Sequence, residues 1–270
     1  MNSNLLKSSA ELDIMRHAGQ LLASVFTMLD SYVREGVSTL EINHAVDRFI
    51  RRELKARPAS VGQYDYPYAL NASINDEVCH GMPSAERKLC KGDILNLDIT
   101  LEKNGFIADS SKMYMIGSVS EDARRLVQTT YDAMWAGIRQ VRPGATLGDV
   151  GHAIQRHAEA AGYSVVREYC GHGIGREMHE EPEVLHYGRP GTGLKLKPGM
   201  VFTIEPMINQ GTARLRHRKM KDGWQIALTH DQQLSAQWEH TVAVTQEGVE
   251  VLTLRPEEQV EKQKVIHADG

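Results

Sequence analysis

The sequence has no run of about 18 consecutive apolar residues, so it predicts no membrane-spanning helix. Its first residues, MNSNLLKSSAELD, lack the basic segment followed by an apolar segment that marks a secretory signal. Cysteine is scarce, since only Cys79, Cys90 and Cys170 occur in 270 residues, and three scattered thiols do not make a disulfide framework. We therefore expect reduced cysteines and a cytoplasmic location.

The chain also lacks an excess of charge of one sign, because 31 lysines and arginines face 35 acidic residues and leave a net charge of −4. This balance favours neither DNA nor a membrane surface as a partner. A hydrophobic content of 41% is typical of a globular protein. One basic stretch, residues 214–221, is interpreted either as a solvated hairpin loop, which is the commoner case, or as a contact for ribosomal RNA on the ribosome surface.

What the chain does contain is an internal repeat. Residues 33–48, VREGVSTLEINHAVDR, align without a gap with residues 141–156, VRPGATLGDVGHAIQR, at an offset of 108. Residues 91–98, KGDILNLD, align with residues 198–205, PGMVFTIE, at an offset of 107. Because two segments recur in the same order at nearly one offset, the pattern indicates duplication.

Each copy of the repeat begins with a helix signal. Ser38 with Glu41, and Thr146 with Asp149, have the spacing of a capping box. Helices followed by antiparallel strands in both halves predict an α+β fold with pseudo-twofold symmetry, in which helices cover an antiparallel sheet.

We expect a single domain over residues 1–270. Its internal halves are predicted at about residues 8–118 and 119–253. The polar residues 256–270 are predicted to form a loose C-terminal tail.

Two aspartates lie on the arms of a predicted hairpin in the segment NLDITLEKNGFIADSS. Asn104-Gly105 is a strong signal for a two-residue hairpin loop. With these loop residues, Thr100 lies opposite Asp109, and Asp98 shares a face with Thr100. Asp98 and Asp109 then become diagonal neighbours. Two carboxylates this close cannot both stay charged in a dry interior without a partner, and a metal ion is the expected partner.

The second half supplies further donors. Glu205 ends an apolar strand, Glu239 lies in another strand, and His172 stands between two glycines with His179 seven residues later. A single strand carboxylate usually faces solvent, and a lone histidine beside glycine is usually a loop residue. The repeated acid at the equivalent positions Asp98 and Glu205 favours a site instead. Carboxylate oxygens with a histidine suit two divalent ions about 3.5–4 Å apart.

Several motifs resemble the type I methionine aminopeptidases over roughly residues 8–253. They are NDEVCHGMP, NLDIT, ADSSKMYMIG, GHGIGREMHEEP, FTIEPM, MKDGW and SAQWEHT. The resemblance implies the pseudo-symmetric pita-bread fold and one catalytic domain. It also implies a cytoplasmic, monomeric metallo-exopeptidase that removes the initiator methionine from nascent polypeptide N-termini when the second residue is small.

The resemblance further implies two divalent metal ions per chain, of Co, Mn, Fe or Zn. The implied metal ligands are Asp98, Asp109, His172, Glu205 and Glu239. Asp109 and Glu239 are expected to bridge the two ions. Catalytic roles are implied for Glu205, His179 and His80, and the two histidines are also expected to bind substrate.

The methionine pocket is the part in which the sequence departs from the family pattern. Tyr66, Asn71 and Trp224 are expected to bind substrate there. Asn71 stands where many members have cysteine, Gln63 where some have tyrosine, and Met178 where some have phenylalanine. The shape of the pocket and its inhibitor preference therefore stay open.

Two other functions remain as alternatives. A proline-specific peptidase of the same fold usually carries an additional N-terminal domain, for which this chain has no room. A catalytically inactive pita-bread protein used as a binding module usually loses metal ligands, whereas all five expected ligands are present here.

Overall fold

The computed structural model of the protein describes residues 5–259. Within this range the chain forms the helices α1 (Ser9–Tyr32), α2 (Thr39–Arg48), α3 (Glu121–Ile138) and α4 (Leu147–Ala160). A π-helical segment, Phe49–Glu53, continues α2. Across residues 5–259, every helix is too short or too polar to cross a bilayer.

The strands fall into one large sheet and two small ones. In chain order they are β1 (Arg57–Pro58), β2 (Leu70–Ile74), β3 (Glu77–Cys79), β4 (Ile94–Lys103), β5 (Phe106–Met115), β6 (Ser164–Val165), β7 (Gly171–Gly173), β8 (Glu180–Val184), β9 (Val201–Ile204), β10 (Met207–Asn209), β11 (Leu215–Lys219), β12 (Gln225–Thr229), β13 (Ser235–Gln237), β14 (Glu239–Val244) and β15 (Val249–Val251). The large sheet has the order β1-β4-β5-β14-β9-β7-β8, with β2 on β4 and β15 on β14. First-half strands therefore meet second-half strands where β5 pairs with β14.

The predicted hairpin is confirmed as the β4–β5 pair. Thr100 pairs with Asp109 and Lys103 with Phe106, as the loop length requires. Asn104 has φ +53° and Gly105 φ +79°, the left-handed conformation that a two-residue turn of this type needs. The hairpin thus fixes both aspartates on one face of the sheet.

The two helix pairs cover the sheet in equivalent ways, as the predicted α+β class requires. The α1–α2 pair buries Phe26, Leu29 and Val46 against Leu97 of β4 and its neighbours. The α3–α4 pair forms the corresponding cluster over the second half: Trp135, Ile138, Val150, Ile154, Phe202 and Val242. Burying such side chains stabilises each layer by about 1.5–3 kcal/mol per residue.

Equivalent residues of the repeat make equivalent contacts. Both predicted capping boxes form, and each N-cap residue also makes an isolated β-bridge, Ser38 with Lys88 and Thr146 with Lys195. Two further backbone hydrogen bonds correspond: Gly36 N to Leu89 O, 2.8 Å, and Gly144 N to Leu196 O, 3.0 Å. These shared contacts support the duplication inferred from the sequence.

The expectation of a loose tail from residue 256 is wrong for its first residues. Pro256–Glu258 form a 3₁₀ turn, and the Glu258 side chain is buried against Arg255, which is itself 1% exposed. A buried ion pair of this kind leaves no signal in a polar local sequence. Residues 260–270 lie outside the described residues.

The basic stretch 214–221 is mostly an exposed strand of a hairpin and not a loop. Its centre forms β11, which pairs with β12. Part of its charge is neutralised within the protein, because Arg216 lies 2.9 Å from Asp76 and Arg218 pairs with the buried Glu77.

Candidate metal centre and substrate cavity

The residues predicted from the sequence converge on one cavity of about 530 Å³. Its lining includes all ten predicted site residues, Asn71 among them, and the two other departures from the family pattern: Asp98, Asp109, His172, Glu205, Glu239, His80, His179, Tyr66, Asn71, Trp224, Gln63 and Met178. The first five come from β4, β5, β7, the residue directly after β9 and the start of β14. These strands belong to both halves of the chain, so the cavity lies over the junction of the halves.

The acidic groups surround the His172 ring. Its Nε2 lies 3.5 Å from Glu205 Oε1 and 3.7 Å from Asp109 Oδ2. One donor atom each from Asp109, His172 and Glu239 lies within 4.8 Å of the others, a spacing that suits a shared cation. The arrangement brings together donors from distant parts of the sequence.

Backbone contacts orient His172 toward these acids. Its Nδ1 lies 3.0 Å from the carbonyl oxygen of Gly173. Since a carbonyl can only accept, Nδ1 carries the proton, and Nε2 presents a lone pair to the carboxylates. This is the usual arrangement around a metal-binding histidine.

Glu205 is held by three groups that the sequence analysis did not predict. Thr203 Oγ1 donates to Oε1 over 2.8 Å, and Gln237 Nε2 donates to Oε2 over 3.2 Å. The Glu205 backbone N–H donates to Nε2 of the buried His186 over 3.1 Å. Thr203 was predictable, because it stands two residues before Glu205 and so shares its strand face. Nothing in the local sequence marks His186.

Burial raises the pKa values of the four carboxyl groups, because it disfavours their charged form. It raises the pKa of Asp98 to about 6, partly offset by a hydrogen bond from Asn71. Burial, with the charge of Asp98, raises the pKa of Glu205 to about 8. The pKa values of Asp109 and Glu239 lie well above the usual range for the same two reasons, burial first and neighbouring carboxylates second.

These residues fit a divalent cation. Among the described residues, the buried Asp109 Oδ1 has no hydrogen-bond partner. Burial lowers the pKa of His172 to about 4, so its imidazole is neutral and able to bind a metal at neutral pH. Clustered carboxylates of raised pKa are unfavourable without a cation, and a cation would bring their pKa values down again.

The two remaining histidines lie on other walls of the cavity. His80 has φ +62°, and its carbonyl oxygen accepts a 2.9 Å hydrogen bond from Trp224 Nε1. The His179 ring lies 4.4 Å from the ring of His172 and 6.3 Å from that of Tyr64. Tyr64 is 73% exposed at the cavity mouth and was not predicted.

An aromatic pair forms the apolar wall. The rings of Tyr66 and Trp224 stack with centroids 4.3 Å apart, and Tyr66 is 3% exposed. Asn71, Gln63 and Met178 line the same cavity. Among the described residues Asn71 Oδ1 has no hydrogen-bond partner, so a polar acceptor lies within the pocket.

Sequence comparison identifies the family. The profile of metallopeptidase family M24 matches residues 13–246. The chain is 49% identical over 255 residues to methionine aminopeptidase B of Synechocystis sp., which covers 93% of this chain and 92% of that protein. It is 47% identical over 255 residues to methionine aminopeptidase of Escherichia coli, covering 94% and 96% of the two chains.

Solved structures agree with this assignment. The crystal structure of methionine aminopeptidase from Rickettsia prowazekii matches with a TM-score of 0.89 and 46% identity, covering 92% of this chain and 99% of that chain. The prolidase from Pyrococcus horikoshii shares the pita-bread fold, with a TM-score of 0.72, but is 20% identical and only 64% covered. The chain therefore belongs to metallopeptidase family M24 and, within it, to the methionine aminopeptidases.

Proposed function

We propose that the protein is a dinuclear-metal aminopeptidase that removes the initiator methionine from nascent proteins whose second residue is small. The observation that carries the proposal is the convergence of four carboxylates, two buried and two partly buried, and one oriented histidine on a single cavity. Asp98, Asp109, His172, Glu205 and Glu239 would hold the two ions. The donor set is compatible with Co, Mn, Fe or Zn.

Two divalent cations in such a site supply Lewis acidity toward a water molecule and toward the scissile carbonyl. The chain itself must then move a proton from the water to the leaving nitrogen. Glu205 is suited to this task, because Thr203 and Gln237 fix both of its oxygens. Burial first, and the charge of Asp98 second, raise its pKa to about 8 in the metal-free protein, so this carboxylate accepts a proton more readily than an exposed glutamate does.

The two cavity histidines would contact the peptide. Burial lowers the pKa of His179, so its ring is neutral at pH 7 and can donate one N–H to the scissile carbonyl as negative charge develops on the oxygen. Burial also lowers the pKa of His80, to about 4, and the neutral ring would contact the backbone nitrogen on the leaving side.

The methionine side chain would lie against Tyr66 and Trp224. Their stacked rings offer an apolar surface, and the thioether of methionine packs well on aromatic groups. A tight wall beyond the scissile bond would reject bulky second residues, because each group that does not fit the site costs about 1–3 kcal/mol of binding free energy. Asn71 and Gln63 add polar atoms to the pocket.

The two alternatives are weaker. A binding module has no need for buried carboxylates of raised pKa around an oriented histidine. The proline-specific reading has only a likeness of fold to support it, and the prolidase is substantially longer than this chain.

The proposal includes the setting of the enzyme. One catalytic domain, built from halves at about residues 8–118 and 119–253, would act as a monomer in the cytoplasm, where nascent N-termini appear. The exposed basic arm around β11 is a candidate contact for the ribosome surface, since it keeps free charges beside those paired with Asp76 and Glu77.

The test is hydrolysis of Met-Ala-Ser by protein stripped with a chelator and then reloaded with one divalent metal at a time. We expect no turnover after chelation and recovery on reloading. A peptide with bulky leucine second, and an Ala-Pro peptide, are the matched controls and should be poor substrates. Faster cleavage of the Ala-Pro peptide would favour the proline-specific alternative, and absence of turnover with every metal would favour the binding module.

A further inference from the structure

The two halves of the metal centre meet at the contact between β5 and β14. Glu239 pairs with Ser111, and His240 pairs with Ser110. Because side chains alternate along a strand, Asp109 and Glu239 point into the cavity while Ser110 and His240 point to the opposite, helix-covered side. Because Ser110 follows Asp109 and His240 follows Glu239 in the chain, a group that holds Ser110 and His240 also fixes the positions of the two carboxylates.

Arg255 is that group. Its side chain is 1% exposed and lies behind the junction. Its Nη1 donates to Ser110 Oγ over 3.2 Å and to the Ser111 carbonyl oxygen over 3.3 Å, while Nη2 lies 3.1 Å from His240 Nε2. Ser110 Oγ in turn donates to the Glu239 carbonyl oxygen over 2.7 Å. The planar guanidinium therefore joins both strands next to Asp109 and Glu239.

Residues around Arg255 hold it in this place. Glu258 Oε1 accepts from Nη2 over 2.8 Å, and Glu258 Oε2 accepts from the Arg255 backbone N–H over 3.0 Å. The guanidinium carbon lies 5.4 Å from the Phe26 ring of α1 and 5.3 Å from the Trp238 ring. Thr253 Oγ1 binds the His240 ring and the Thr241 backbone N–H, which joins the same segment to β14. We call residues 253–258 the C-terminal clasp.

Stability alone does not explain a charge pair at this position. A buried ion pair is often no more stabilising than well-packed apolar residues of similar volume, because both ions lose their hydration. What apolar residues cannot do is bind two strands from different halves through directed hydrogen bonds. The geometry is the one expected of groups that support metal ligands without contacting the metal.

We propose that Arg255, neutralised by Glu258, is a positioning residue that sets the separation of Asp109 and Glu239 and so tunes the metal affinity of the centre. The proposal rests on the proposed function, since it assumes that these two carboxylates bind metal. Arg255 is not a catalytic residue, because it does not line the cavity and does not contact the side chains of the proposed metal ligands.

The test measures cobalt binding to metal-free protein by calorimetry and records the visible absorption spectrum of the cobalt-loaded protein. We expect Arg255→Met to bind cobalt about 10- to 100-fold more weakly than the wild type and to show an altered spectrum, as loss of a supporting group typically does. Glu258→Gln should shift affinity in the same direction by less. Arg255→Lys keeps the positive charge but loses the planar guanidinium that donates to both strands, so its cobalt affinity should lie between those of Arg255→Met and the wild type.

Two variants control for general effects. Arg16→Met removes a different arginine–glutamate pair, the bidentate one with Glu250, away from the junction, and should bind cobalt normally. Ile154→Ala creates a cavity in the second-half helix layer and should lower the melting temperature without changing cobalt affinity. These two variants separate positioning from loss of charge and from loss of stability.

Wild-type affinity and spectrum in Arg255→Met would overturn the proposal, as would an equal loss of affinity in Ile154→Ala. If Arg255→Met does not fold, Arg255→Lys and Glu258→Gln decide, and wild-type binding by both counts against the clasp. Asp109→Asn separates this inference from the proposed function. Normal cobalt stoichiometry in Asp109→Asn would contradict the proposed metal site itself. Loss of cobalt in Asp109→Asn, together with wild-type binding in the Arg255 variants, would contradict only the role of the clasp.

Discussion

The indole N–H of Trp224 donates to the backbone carbonyl of His80 over 2.9 Å, and His80 has a left-handed backbone with φ +62°. Such a conformation costs a non-glycine residue of order 1–3 kcal/mol and persists where neighbours hold it. The same indole stacks on Tyr66. Trp224 therefore connects the aromatic wall of the cavity, where we propose that methionine binds, to the orientation of His80, which we propose contacts the substrate.

This connection predicts different kinetics for two substitutions. Trp224→Phe keeps an aromatic ring but loses the hydrogen bond, worth about 1 kcal/mol, so kcat on Met-Ala-Ser should fall by up to about tenfold with a smaller change in KM. Trp224→Ala also removes the apolar wall and should raise KM strongly. Steady-state kinetics of both variants test this, and an unchanged kcat in Trp224→Phe would show that His80 needs no such support.

Removing either aspartate of the β4–β5 hairpin should abolish peptidase activity. Asp98→Ala and Asp109→Ala each delete a charged donor from a coupled site, and the paired strands place both donors on one face. Activity after metal reloading and metal content by elemental analysis are the measurements. Glu102→Gln, on the same strand but in a surface pair with Arg57, is the control and should remain active. Near-normal turnover by a folded aspartate variant would contradict the metal site.

Features that depend on neighbouring residues were predictable from the sequence. The Asn104-Gly105 loop determined the register that places Thr100 opposite Asp109, because a two-residue turn leaves one possible pairing. The capping box of Ser38 and Glu41 was readable for the same reason. The repeat then related the two halves and indicated which acids are equivalent.

Features that depend on distant partners were not predictable. Arg255 and Glu258 lie in a polar segment, and only packing behind β5 and β14 shows that both are buried. His186 supports Glu205 from 19 residues away, with no spacing that marks it. Tyr64 is an exposed aromatic in the 3₁₀ turn Gln63–Asp65, and its position at the cavity mouth follows from the fold.

The raised carboxyl pKa values predict how the metal-free protein responds to pH. The pKa of Glu205 is about 8 in the folded state against 4.5 unfolded, so the folded state holds more protons between these values and loses stability as pH rises. His80 and His172, whose pKa values burial lowers from 6.5 to about 4, act in the opposite direction below pH 6.5. Between about pH 6.5 and 8 the acids therefore dominate.

In that window the free energy of unfolding of the metal-free protein should fall by roughly 1–2 kcal/mol. Urea titrations at several pH values measure it. Glu205→Gln removes the titrating group and should flatten the slope, while stabilisation by added divalent metal should grow with pH because binding releases protons. A stability that rises from pH 6.5 to 8 in the metal-free wild type would contradict the raised pKa values.

The roles of the two histidines in GHGIGREMHEEP can be separated by measuring metal and turnover together. His172→Ala should lose tightly bound metal, because Nε2 faces Asp109 and Glu205 within 4 Å. His179→Ala should keep its metal and lose turnover by about 10²–10³, the usual effect of removing one donor to a developing oxyanion. His152→Ala is the control and should change neither, because His152 lies on α4 and its ring contacts the Gly188 carbonyl oxygen.

The comparison is decisive because a ligand and a substrate contact affect different quantities. Loss of a ligand lowers metal occupancy at equilibrium, whereas loss of a substrate contact lowers the rate at full occupancy. Addition of excess metal should therefore restore part of the activity of His172→Ala and none of the activity of His179→Ala. If His179→Ala instead loses one equivalent of tightly bound metal, His179 is a ligand, and the donor to the carbonyl oxygen must be sought on another wall of the cavity, where His80 is the remaining neutral histidine.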